Sequence, residues 1–207
     1  GARPEGKETF RRETARQGGR CAKDRSERKK IREGQTIMTV YVENETEEVF
    51  AFDEEALCRQ VAEAVLDSEG CPYEAQVNVL ITDSEGIRDY NREYRGIDRE
   101  TDVLSFPNVP FEKEADFSVA EDCESDCFDP DSGELILGDI ILCTGRIYSQ
   151  AESYNHSVRR EFAFLVAHSM LHLCGYDHET PAEAEVMEQK QEAVLESLGL
   201  TRDCADR

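Results

Sequence analysis

AHSMLHLCGYDHET, residues 167–180, holds three of the four histidines in the chain, His168, His172 and His178. The spacing is His-x3-His-x5-His. On an α-helix, residues four apart lie about 40° from one another and about 6 Å apart along the axis. His168 and His172 therefore share a face at a separation that lets two imidazoles hold one metal ion. Gly175 can leave the helix in a left-handed conformation and turn the chain back, bringing His178 to the same point. Three imidazoles with a fourth position open are the donor set of a catalytic rather than a structural zinc site, although imidazole also suits iron, nickel and copper. Cys174 lies about 200° round the helix from His172 and is read as core. A metalloprotease of the HExxH type carries its general base directly after the first histidine. Here that position is Ser169, which disfavours a peptidase. Asp177, beside the third ligand, is a candidate to orient an imidazole or to handle a proton.

Outward from this stretch the chain reads as α+β. Pro181 opens a last helix, running to about residue 198. Two helices run up to Cys174, the second carrying His168 and His172, and LILGDIIL (135–142) before them is a buried strand with Gly138 marking a bulge. Residues 102–106 form a short strand ended by Pro107, and 86–95 a helix stopped by Gly96. Val77, Val79 and Ile81 alternate as a strand. Asp53 caps a helix that Gly70 ends, and MTVYVE begins a first strand at Met38. The expectation is a single compact domain, a mixed sheet of about four strands packed with helices.

The 207 residues carry 24 Lys+Arg against 46 Asp+Glu, a net charge of -22. That balance excludes a protein that grips nucleic acid through a broad basic face. The charge is uneven. Residues 1–37 hold 12 cations and 6 anions, so residues 38–207 carry a net -28. The first segment reads as a disordered basic extension, either an arm that touches RNA or sequence upstream of a domain starting at Met38. No apolar run reaches the roughly 18 residues of a membrane helix, and a reducing cytoplasm with free thiols is expected for the eight cysteines. Cys123 and Cys127, in an acidic run, are read as part of a solvated loop and not as a metal or redox pair. The whole stretch 108–133 is expected to be a long, mobile acidic loop.

Of the 12 cations after residue 37, seven stand near the histidines or in the segments leading to them. Arg88, Arg92, Arg95 and Arg99 are spaced 4, 3 and 4 apart, the first three on one helical stripe. Arg146, Arg159 and Arg160 precede the histidine helix. Salt bridges to Asp89, Glu93 and Asp98 explain some of them; a phosphodiester substrate explains the clustering better.

Together these segments resemble the YbeY family of bacterial metal-dependent endoribonucleases. The resemblance rests on HSMLHLCGYDH (168–178), with Ser169 where the family has Gly, and on NREYRGIDRETDVLSFP (91–107), LGDIIL (137–142) and NHSVRREF (155–162). It covers about residues 38–200 and leaves out 1–37 and 108–133. It implies a zincin-like fold and one Zn2+ per chain on His168, His172 and His178. Arg95 would be the functional arginine, with Arg88, Arg92 and Arg99 as RNA-binding candidates. The implied activity is cleavage of single-stranded RNA, in maturation of the 3′ end of 16S rRNA and in ribosome quality control. The implied partners are the small ribosomal subunit and its assembly factors, with no DNA and no membrane. Attack on the phosphodiester by activated water and attack by the ribose 2′-OH both remain open. The rival reading is a non-catalytic ribosome assembly factor with structural zinc.

Overall fold

Alternating apolar residues in 75–82 can bury one side of a strand, and in this chain they bury both. The computed structural model describes residues 38–201, so the reading of 1–37 as a basic extension lies outside the described residues. Strand β1 (Met38–Asn44) pairs in parallel with β2 (Ala75–Thr82), β2 in parallel with β4 (Leu135–Cys143), and β3 (Val103–Pro107) antiparallel with β4. The strand order is β1-β2-β4-β3. Parallel pairing requires crossovers. Helix α1 (Glu54–Glu69) makes the first, with Asp53 accepting from the Ala56 amide at its start and left-handed Gly70 at its end. Such a cap contributes about 1 kcal/mol.

The bulge expected at Gly138 is present. Val77 pairs with Gly138 while Gln76 pairs with Ile136, which leaves Leu137 as the extra residue. The side-chain alternation of β4 is shifted there, so Leu135, Leu137, Ile140 and Leu142 all join the larger core. Only glycine fits at 138: its φ is +139°, and a Cβ would lie 2.1 Å from the Phe106 carbonyl oxygen on β3.

Helix α2 (Ser84–Arg95) packs Ile87 and Tyr90 on Leu80, Leu104 and Ile141, forming a small second core on one sheet face. The larger core lies on the other face, under α1, α6 (Val158–Leu173) and α7 (Pro181–Ser197). Helix α5 (Thr144–Tyr154) leads from β4 into α6. Ser157 caps α6, and Thr180 with Glu183 forms a capping box for α7. No helix among the described residues is long and apolar enough to cross a membrane.

Two expectations for 108–133 are overturned. The segment carries two short helices, α3 (Val119–Asp122) and α4 (Glu124–Cys127), and is not an irregular solvated loop. Val109, Phe117, Ala120 and Phe128 are buried in the main core, and that apolar area outweighs the acids between them. Cys123 and Cys127 are also not free thiols. They are bonded to each other, because the helical turns bring their Cα atoms to 5.7 Å, within disulfide reach. Cys58, Cys71, Cys143 and Cys174 are free and buried, Cys174 in the core as its helical phase indicates.

Candidate metal centre

Helix α6 is buried along most of its length, and its last two turns carry His168 and His172. The helix ends in a Schellman arrangement. The Gly175 amide donates to the His172 carbonyl and the Tyr176 amide to that of Leu171, both at 3.0 Å. Gly175 has φ +86°, and a Cβ there would lie 2.6 Å from Cβ of Phe111. The segment misread as a loop thus packs on the turn of the histidine motif. The Ala115 amide further donates to the Cys174 carbonyl at 2.9 Å.

This turn returns His178 to the other two histidines. One ring nitrogen from each of His168, His172 and His178 lies within 4.8 Å of the others. The Nε2 atoms of His168 and His172 are 3.1 Å apart. His172 Nδ1 meets the Tyr176 carbonyl at 2.9 Å, and His168 Nδ1 faces Gln191 Oε1 at 3.5 Å. Both partners are acceptors, so each Nδ1 carries the ring proton and each Nε2 presents its lone pair inward. Burial, together with the neighbouring His172, lowers the His168 pKa to about 4. Burial also lowers that of His172. Neutral imidazoles converging on one point fit a divalent transition ion.

Two residues distant in sequence brace the turn. The Tyr176 hydroxyl donates to Glu69 Oε2 at 2.7 Å, and Lys190 Nζ donates to both Glu69 oxygens at 2.9 and 3.0 Å. The Glu69 side chain is only 2% exposed. Its charge is therefore paired and hydrogen-bonded at both oxygens, as a buried carboxylate requires. Nothing within residues 167–180 points to Glu69, Lys190 or Gln191.

Asp177 stands beside the site, but its carboxylate accepts from the backbone amide of His178 at 2.8 Å. The Nδ1 atoms of His168 and His172 are taken by Gln191 and by the Tyr176 carbonyl.

The arginine stripe on α2 divides into two parts. Arg88 is bidentate to Asp98, and Arg92 bonds Asp89 and Asp98. Arg146 pairs with Glu100, and buried Arg160 with Glu192. Salt bridging therefore accounts for these four. Arg95, the last residue of α2, reaches across β3 instead. Its Nη2 donates to the Ser105 carbonyl at 3.2 Å, and the guanidinium lies 5.8 Å from the Phe106 ring centroid. Its charge acts on His172, which it disfavours as a cation. Arg99 is exposed, and its carbonyl is held by the Asn91 amide at 2.8 Å.

The family model described as Endoribonuclease YbeY matches residues 40–199, running through 108–133. A protein from Lachnoclostridium phytofermentans, named Endoribonuclease YbeY, is 54% identical over 165 residues, covering 80% of this chain and 100% of that protein. One of the same name from Lachnospira eligens is 54% identical over 169 residues, with the same coverage. A solution structure of a Thermotoga maritima protein is 23% identical and covers 83% of this chain and 100% of its own, with a TM-score of 0.47.

Proposed function

The chain belongs to the YbeY family of endoribonucleases, and from that membership we propose a zinc-dependent enzyme that cuts single-stranded RNA, acting on the 3′ end of small-subunit rRNA and in ribosome quality control. The observation that carries the proposal is the convergence of His168, His172 and His178 within 4.8 Å, with Arg95 acting electrostatically on the same group.

In this reading the three histidines hold one Zn2+. When bound, such an ion polarises a phosphoryl oxygen and lowers the pKa of water toward neutrality. Arg95 has spent one donor on a neutral carbonyl. Its remaining donors can meet the negative charge that develops on the phosphate oxygens. With Arg88 and Arg92 held by Asp98 and Asp89, exposed Arg99 is the remaining candidate to meet the RNA backbone. Asp177 fixes the backbone of the third ligand. Small-subunit assembly intermediates are the proposed partners.

Cleavage of a defined single-stranded RNA tests the reading. Chelator-stripped protein should be inactive, Zn2+ should restore cleavage, and His172→Ala should lose both metal and activity. Full activity of His172→Ala would refute it. Intact RNA with fully zinc-loaded wild type would indicate a non-catalytic assembly factor. Cyclic phosphate ends would assign the ribose 2′-OH as nucleophile, and 3′-OH with 5′-phosphate ends would assign water.

A further inference from the structure

Gln191 is 4% exposed and sits on the buried face of α7 with Met187, Val194 and Leu195. An apolar side chain would fill that position without leaving a polar group unsatisfied. Instead the amide brings Oε1 to 3.5 Å from Nδ1 of His168, while its Nε2 has no hydrogen-bond partner in the protein. Half of a buried amide is left uncompensated so that the other half can face one histidine.

The ring geometry gives that contact a purpose. Nε2 of His168 points at Nε2 of His172, so His168 can offer a lone pair to a metal only as the Nδ1–H tautomer. An acceptor at Nδ1 selects that tautomer, fixes the ring plane and raises the basicity of Nε2. His172 receives the same service from a backbone carbonyl, that of Tyr176. For His168 it must come from another helix, 23 residues further along the chain. The neighbouring Lys190 clamps Glu69 and, through it, Tyr176. Consecutive residues of α7 therefore serve both helical ligands, one directly and one through the turn.

We infer that Gln191 is a positioning residue for the metal centre, holding His168 in its metal-binding tautomer through Nδ1–H···Oε1. The inference rests on the reading of the three histidines as a metal site.

The test is Zn2+ affinity of the full chain, measured by competition with a chromophoric chelator, for wild type, Gln191→Met and Gln191→Glu. Met matches the length of Gln and favours a helix but accepts no hydrogen bond. Glu keeps the acceptor. Gln191→Met should weaken Zn2+ binding about 10- to 100-fold, and Gln191→Glu should bind at least as tightly as wild type. Wild-type affinity in Gln191→Met, or equal weakening in both variants, would overturn the inference. A wild type that takes up no Zn2+ would instead remove the metal reading itself. A second readout needs no variant. In the 15N spectrum of zinc-loaded wild type, His168 should show a protonated Nδ1 whose proton exchanges slowly with water. Rapid exchange there would count against the contact even if Gln191→Met failed to fold.

Discussion

Replacing Ser169 by alanine should stabilise the protein. Ser169 lies next to the first histidine on α6 and is fully buried, and its Oγ has no hydrogen-bond partner in the protein. Helical spacing puts it on the same side of α6 as Leu165, Val166 and Leu173, all in the main core. A buried hydroxyl without a partner costs about 1–3 kcal/mol. Alanine is also the better helix former, by roughly 0.5 kcal/mol. Against this, the space vacated by one oxygen, roughly 15 Å3, costs about 0.4 kcal/mol at 24 cal/mol per Å3. The balance is a gain of about 1–3 kcal/mol. At about 2–4 °C per kcal/mol for a domain of this size, that raises Tm by about 2–12 °C. The assay is thermal and urea unfolding of the metal-free protein with chelator present, so that metal affinity does not enter. Ser169→Gly restores the residue of the family's run but should gain less than alanine, since glycine in a helix interior costs about 1 kcal/mol relative to it. An unchanged or lowered Tm for Ser169→Ala would show that the hydroxyl has a partner in solution and that the reasoning fails.

Arg95→Ala should retain its Zn2+ while single-turnover RNA cleavage falls about 10²–10³-fold, the usual cost of losing one donor to developing charge; an unchanged rate removes Arg95 from the chemistry. Gly175→Ala should lose about 2–4 kcal/mol in urea unfolding, through left-handed strain and contact with Phe111. In a double-mutant cycle Phe111→Gly, which removes the Cβ that the new methyl would meet, should recover part of that loss, and strict additivity would contradict the close contact. Glu161 faces His156 at 3.1 Å and is 3% exposed. Burial pushes its carboxyl up to about 7 from the ordinary 4.5. The folded protein then binds more protons than the unfolded chain between those values. This contribution to stability is complete below about pH 4.5 and is lost as pH rises through 7, with a slope of at most about 1.4 kcal/mol per pH unit. Glu161→Gln should flatten the profile over that window, and an unaltered profile would assign the dependence elsewhere.

The features legible in the sequence are those with local physics. Asp53 and Gly70 bound α1 because a cap needs only its neighbours, and Gly138 marks a bulge because β4 loses its alternation there. The convergence of the three histidines is legible for the same reason: a helical turn and one left-handed glycine fix their relation. Gln191, Lys190 and Glu69 were invisible because they reach the site across 23 to more than 100 residues, where no period or spacing links them. The fold of 108–133 was missed because its buried aromatics are diluted by acids, and composition averaged over the segment hides them. The arginine row was half legible. Spacing placed the α2 stripe correctly, but only packing tells which guanidiniums are neutralised by Asp89 and Asp98 and which one crosses β3.

All three histidines come from eleven consecutive residues, and this has a thermodynamic consequence for the unfolded chain. Little loop entropy is needed to bring them together, so the denatured polypeptide retains a chelating segment of its own. Metal stabilises a fold only by the ratio of its affinities for the folded and unfolded states. That ratio is set here less by the histidines than by what folding adds to them: the Tyr176 carbonyl, the Gln191 amide and the Glu69–Lys190 clamp. A metal ion held this way would report how well α7 has docked, and a chain that loses α7 would hold it more weakly.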